Sequence, residues 1–184
     1  MLSLLAAHSP YDPKEASDLE RMRDFAARLT EPFSRSSWPA HFTGSALIID
    51  PPGERVVLVL HAALGRWLQP GGHAEPVDNA DLRATALREA REETGLEVEL
   101  VSDTPLDVDV HTIPARKSEP EHEHLDVRFL FRARDPGALR HDPGESRGAQ
   151  WVSWAEALQR ADEPSLRRML NKARSSARAL SITR

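Results

Sequence analysis

A chain of 184 residues, 40% hydrophobic and 29% charged, suits one compact domain with an ordinary core. Its formal charge of −5 and pI near 5.9 lack the whole-domain basic footprint of a protein that coats nucleic acid, leaving room only for local basic patches. The absence of cysteine removes disulfides, thiolate metal sites and cysteine nucleophiles, so any metal must be held by oxygen or imidazole.

The opening MLSLLAAHSP has a short apolar run, no basic residue ahead of it and no stretch long enough to span a bilayer, which predicts a soluble cytoplasmic protein with no membrane partner. In 12–30, apolar residues at Leu19, Met22, Phe25, Ala26 and Leu29 recur with helical spacing and predict an amphipathic packing helix. GSALIID and RVVLVLH flank PPGE, so 45–50 and 55–61 read as two strands joined by a tight turn. The stretch 65–81, dense in glycine and proline, reads as a loop leading into a helix. That helix is expected to take Asn79 as N-cap, with Asp81 in its first turn, and to end at Gly95. LEVELV, LDVDVHTI, HLDVRFLFRA and AQWVSW read as further strands, and two helices, WAEALQRA and PSLRRMLNKARSSARAL, close the chain. No repeat or linker divides the sequence, so 1–184 is expected to be a single domain. Strands with one inserted helix and helices at both ends predict an α/β/α sandwich around a mixed β-sheet.

The stretch REAREETGL crowds Glu89, Glu92 and Glu93 just before the glycine stop. Like charges at i,i+3 and i,i+4 each cost roughly 0.2–0.5 kcal/mol, and a helix C-terminus favours cations over anions. A cation is missing from that picture. At helical periodicity the three glutamates fall within an arc of roughly 100°, beside Ala86, Leu87, Ala90 and Thr94. One stripe is then expected to pack and the other to point carboxylates outward. Hard divalent cations such as Mg²⁺ take oxygen ligands and bridge to phosphates, and carboxylates beside a Gly-rich loop offer such a site. The bland reading is a solvated helix face laced by ion pairs.

These residues resemble the Nudix hydrolases, whose box runs G-x5-E-x7-R-E-U-x-E-E-x-G-U with U bulky and apolar. Arg88, Glu89, Ala90, Glu92, Glu93, Gly95 and Leu96 match its second half, with Ala90 smaller than the pattern prefers. In the first half, Gly72 opens the box, Asp78 stands where the family has glutamate, and nine residues rather than seven separate Asp78 from Arg88. A two-residue loop extension accounts for the spacing, since surface loops absorb insertions at small cost. WLQPGGH before the box and WVSW with the following EAL are similar to stretches of family members, giving a core over about 44–161 between terminal helices at about 12–30 and 164–180.

The resemblance implies hydrolysis of a nucleoside diphosphate linked to another group, with a small-molecule nucleotide as partner and Mg²⁺ or Mn²⁺ as cofactor. It implies that Glu89, Glu92, Glu93 and the Gly71 carbonyl bind the ion, that Arg88 orients the glutamates, and that an activated water attacks phosphorus. Glu145, in the loop before the late tryptophan strand, stands where some members carry a further acid or base. The rival is the cluster Glu119, Glu121, Glu123 and Asp126 around His122 and His124. On a strand, His122, His124, Asp126 and Arg128 would share one face against a cleft. A zinc site at the two histidines is the sharper reading of the same stretch, but such spacing is common without metal.

Arg116 and Lys117 can meet substrate phosphates or simply be solvated. Trp38, Phe42 and Trp67 can stack on a base or belong to the core. The last helix, with Arg167, Arg168, Lys172, Arg174, Arg178 and Arg184 and no acids, predicts a docked helix with a solvated basic face. The alternative to an enzyme is a Nudix-like module that binds a nucleotide for regulation without cleaving it.

Overall fold

Two parallel neighbours, buried almost throughout, organise the molecule, a computed structural model that describes residues 2–116 and 119–182. Strand β1 (Ala40–Ile49) is buried at all ten positions, and β7 (His122–Ala133) runs beside it with Ala40 opposite Glu123 and Ile49 opposite Arg132. β1 begins at Ala40 rather than 45, because the less apolar AHFTG also finds partners: it pairs with β7 on one side and with β4 (Gly71–His73) on the other. β2 (Arg55–His61), β3 (Trp67–Leu68), β5 (Val98–Leu100), β6 (Asp107–Ile113) and β8 (Ser146–Ser153) complete one mixed eight-stranded sheet of order β3-β2-β1-β7-β5, with β4 on β1, β6 on β7 and β8 on β2.

Alternation along the central pair splits the core in two. Phe42, Ala46 and Ile48 of β1 join Leu125, Val127, Phe129 and Phe131 of β7 on one face. Helices α1 (Leu2–Ala6), α2 (Pro13–Arg28) and α3 (Leu82–Thr94) cover that face through Leu5, Leu19, Met22, Leu82, Ala86 and Ala90. Leu47, Ile49 and Leu130 face the other way, under α4 (Trp154–Arg160) and α5 (Pro164–Ile182). This is the expected α/β/α arrangement, with α1 an addition that the sequence reading does not contain. Among the described residues, no helix is long and apolar enough to cross a membrane.

The last helix docks, as expected, through a stripe of Leu166, Met169, Leu170, Ala173 and Ala177, all buried. Its basic face is only partly solvated, which corrects the expectation. Arg168 is buried, donating to Asp107 at 2.8 and 2.9 Å, and Lys172 reaches the buried Glu15 of α2. Buried acids on β6 and α2 call those two cations inward. Arg184 lies outside the described residues.

Candidate active site

Helix α3 carries the glutamates, and its start is set by competition between two capping residues. Asp81 is the N-cap, accepting from the Arg83 N–H at 3.0 Å, while the expected cap Asn79 takes φ 51 and Ala80 follows at φ 58. A 3-10 turn at Pro76–Asp78 draws Asp78 inward, and the two left-handed residues return the chain to the helix axis. Asparagine tolerates the left-handed region better than most residues, which leaves aspartate for the cap.

At the other end Gly95 closes the helix at φ 64, as expected. Arg140 lies against this end of the helix. A Cβ on Gly95 would stand 2.5 Å from Arg140 Nε, so glycine is what lets the guanidinium sit over the helix terminus. The Arg140 and Asp142 backbone N–H groups donate to the free carbonyls of Thr94 at 3.0 Å and Glu93 at 3.3 Å. That strap delivers Glu145.

The glutamates do not all point outward. Glu89 and Glu93 are 7% and 6% exposed and share the buried stripe with Ala86 and Ala90, whereas the Glu92 side chain is 55% exposed. The reason lies in β4. A Cβ on Gly72 would be 2.4 Å from Glu89 Oε1, so a residue without a side chain makes the room. The Gly71 N–H donates to Glu93 Oε1 at 2.7 Å, so the contact seen at Gly71 is its amide. Glu145 completes the group: one carboxylate oxygen each from Glu89, Glu93 and Glu145 lie within 4.8 Å of one another. Burial pushes Glu89 up to about 7 against the opposing Arg88, and pushes Glu93 up to about 8 against the Gly71 N–H, with the charge of Glu145 adding to both.

Arg88 ties this group together. It donates to Asp78 Oδ1 at 3.1 Å and Oδ2 at 3.0 Å, to Glu89 Oε1 at 2.9 Å, to Glu92 Oε2 at 2.8 Å and to the His73 carbonyl at 2.8 Å. Asp78 also accepts from Thr85 Oγ1 at 3.0 Å and the Glu75 N–H at 2.9 Å. Burial works to raise the Asp78 carboxyl, but Arg88 and these donors outweigh it and hold it low. Asp78 therefore anchors Arg88 from the extended loop. Glu92, engaged by Arg88, stands apart from the three converging carboxylates.

The remaining sequence candidates scatter. Arg116 is exposed, its backbone bridged to Glu119, and Lys117 lies outside the described residues. Trp67 packs against the second core cluster with the Arg160 guanidinium 4.5 Å above its ring. Phe42 is fully buried and belongs to the core, so it cannot stack on a base; Trp38 is 39% exposed. Three of the four rival acids have partners: Asp126 accepts from Ser45 at 2.8 Å, Thr43 at 3.1 Å and Arg128 at 2.7 Å, while Glu119 pairs with Arg35 and Glu123 with Arg21; Glu121 is exposed. His122, His124, Asp126 and Arg128 do alternate onto one face, which β1 extends with His41, Thr43 and Ser45. Sequence reasoning missed His41 and His73. The signals were the alternation H-x-T-x-S before the first expected strand and a histidine directly after the glycine pair.

The model of the NUDIX domain matches residues 40–173, which spans β1 to the middle of α5. A crystal structure of a hydrolase of the NUDIX family from Clostridium perfringens is similar, with 26% identity, a TM-score of 0.55, and coverage of 76% of this chain and 97% of that one. A C. elegans Ap4A hydrolase binary complex aligns with a TM-score of 0.60 at 18% identity, covering 75% of this chain and 98% of the other. The NUDIX domain of Shewanella oneidensis NrtR, complexed with ADP ribose, aligns with a TM-score of 0.52 at 17% identity, covering 83% and 96%. At those lower identities the last two likenesses are of fold.

Proposed function

The chain belongs to the NUDIX domain family and is a pyrophosphohydrolase of that type, and we propose that it cleaves, with a divalent cation, the diphosphate linkage of a nucleoside diphosphate joined to another group. The observation that carries this reading is the convergence of Glu89, Glu93 and Glu145 within 4.8 Å. Three carboxylates at that separation repel one another, and burial shifts two of them toward the protonated form unless a cation joins them. All-oxygen donors suit a hard ion of the Mg²⁺ or Mn²⁺ class. Glu89, Glu93 and Glu145 would hold it, with the Gly71 carbonyl and Glu92 as the further ligands that the family resemblance suggests. Such an ion, when bound, supplies charge neutralisation for a diphosphate and makes water more acidic.

The chain's own residues do the rest. Arg88 fixes Glu89 from one side and the β4 carbonyl from the other, so the glutamates are positioned before substrate arrives. The Gly71 N–H holds Glu93 in one orientation. Glu145 is exposed, unlike its two neighbours, and takes the proton of the attacking water as its oxygen bonds to phosphorus and the bridging P–O bond breaks, the departing phosphate keeping the electron pair. No covalent enzyme intermediate is required. The fold neighbours named for Ap4A and complexed with ADP ribose favour the nucleotide class of substrate. A non-catalytic module is disfavoured because both Asp78 oxygens meet Arg88, so the longer loop leaves the helix geometry engaged.

Purified protein incubated with nucleoside triphosphates, dinucleoside polyphosphates and nucleotide sugars, with and without Mg²⁺ or Mn²⁺, tests the reading. Turnover that needs the ion supports it. Binding of a nucleotide without turnover of any of them would overturn it in favour of the regulatory module.

A further inference from the structure

A second cluster of metal-ligating side chains sits on the sheet face that the box does not use. His41 and His124 are directly opposite one another across β1 and β7, and His73 lies on β4 opposite Thr43, so three strands bring three imidazoles to one spot. One ring nitrogen of each lies within 4.8 Å of the others. His73 Nε2 and His124 Nε2 are 3.3 Å apart. With Zn–N bonds of about 2.0–2.1 Å, two corners of a tetrahedral site are separated by roughly 3.3–3.4 Å.

The third ring supplies an independent observation. His41 Nδ1 faces the Ser37 carbonyl at 3.3 Å, and a carbonyl only accepts, so in the neutral ring Nδ1 carries the proton and Nε2 is a bare lone pair. That Nε2 is buried and has no hydrogen-bond partner. A buried acceptor left empty is costly. A hydrogen bond between His73 and His124 would satisfy those two rings but would leave His41 orphaned. An ion satisfies all three, and the Nδ1 contact to Ser37 is the orienting partner that metal-bound histidines usually have. Burial holds all three imidazoles in the neutral, ligating form at pH 7, His73 down to about 4.

We propose that His41, His73 and His124 form a binding site for a zinc-class transition ion, separate from the glutamate site and with one coordination position left for water or an oxygen ligand. The donor set decides the class: three imidazoles suit Zn²⁺, Ni²⁺ or Cu²⁺, whereas Mg²⁺ takes oxygen. Three protein ligands rather than four match sites that keep an open position. His73 and His124 are only partly buried, which leaves a side for the ion to enter. This places an ion on the strand whose His73 carbonyl receives Arg88 and whose Gly71 amide holds Glu93. His122 stacks on His41 with ring centroids 5.0 Å apart and packs the far side of the group. Of the pair that the sequence offers for zinc, His122 and His124, one member belongs to this group, joined by two histidines from other strands.

The site stands or falls independently of the hydrolase reading. The full chain is stripped with chelator and titrated with Co²⁺, then with Zn²⁺. Visible d–d bands of tetrahedral type that saturate at one equivalent, and that Zn²⁺ displaces, are expected for the parent and for Glu93→Gln. In His124→Ala and His41→Gln the affinity is expected to fall by more than about tenfold. Absence of those bands in the parent overturns the proposal without reference to any variant. Retention of full affinity in folded His124→Ala, or its loss in Glu93→Gln, overturns it equally, because the ion would then lie elsewhere.

Discussion

Two clusters of buried acids among the described residues differ in whether cations accompany them. Around β6, Asp107, Asp109 and Asp126 meet Arg128 at 3.2, 3.3 and 2.7 Å, Asp107 also takes Arg168, and Glu15 takes Lys172. On α3, Glu89 and Glu93 converge with Glu145, and Arg88 reaches only Glu89 of the three. The titration behaviour follows. Burial acts to raise Glu15 and Asp109, but His8 and Lys172 for the first and His111 and Arg128 for the second outweigh it, and both end well below the usual carboxylate range. Asp107 is the exception: desolvation raises it despite Arg168 and Arg128. Glu89 and Glu93 rise to about 7 and about 8. The first group is internally neutralised and serves the fold; the second is short of positive charge and is set up to acquire it.

The contrast is sharpest if one carboxylate of each group is neutralised. Glu93→Gln removes an ion ligand, so turnover in Mg²⁺ should fall by more than about 10³-fold. The metal-free variant should melt at or slightly above the parent, because the amide no longer carries the carboxyl's cost of ionising in a buried place while its oxygen still accepts from the Gly71 N–H. Thermal melts in chelator beside turnover assays check this. A variant that melts well below the parent and still turns over substrate would make α3 no different from the β6 network.

Asp107→Asn should do the opposite. It leaves the buried Arg168 and Arg128 short of a counter-charge, a change that costs about 3–5 kcal/mol in buried pairs. Chemical denaturation should show that loss while turnover per folded molecule stays within a few-fold of the parent. Intact stability would mean that the network is not what neutralises these cations.

Glu145 tests the boundary between the two kinds of group, since it is exposed and comes from a strap rather than from α3. If it accepts the proton of water, Glu145→Gln should lower kcat on the order of 10²-fold with little change in KM. An unchanged kcat would leave Glu145 as a charge beside the site and return the base to another residue.

The legibility of these regions tracks the range of the forces involved. α3, its Gly95 stop and the late strand were readable because periodicity and capping are local. Asp81 rather than Asn79 caps α3, since either residue can cap and Asn79 is taken up in closing the turn that brings Asp78 to Arg88. The inward turn of Glu89 and Glu93 could not be read from their helix, because it depends on Gly71 and Gly72 arriving from another strand. Arg168 and Lys172 read as solvated for the same reason: their acids lie about sixty and more positions away in sequence, at Asp107 and Glu15. The histidines are the extreme case. Each is unremarkable in its own strand, and only the register of β1, β4 and β7 makes a group of them.

The smallest expected effect is the pH dependence of stability in the metal-free protein. Glu89 and Glu93 have folded values of about 7 and 8 against an ordinary 4.5, so above pH 4.5 the folded state keeps protons that the unfolded chain has lost. Stability contributed this way is lost as pH rises through the folded values. His41, His73 and His124 act in the other direction, because burial lowers them from 6.5 and the unfolded chain is then the proton-richer state; their contribution grows with pH and is complete above about 6.5. Between about pH 6.5 and 8 the glutamates act without that opposition. There the metal-free protein should lose on the order of 1–2 kcal/mol, and Mg²⁺ should flatten the decline by stabilising the ionised carboxylates. Glu93→Gln should remove most of it. Melts across this window, with chelator and with Mg²⁺, read the effect directly. A flat profile in chelator would mean that the α3 group is already neutralised from within, like the network on β6.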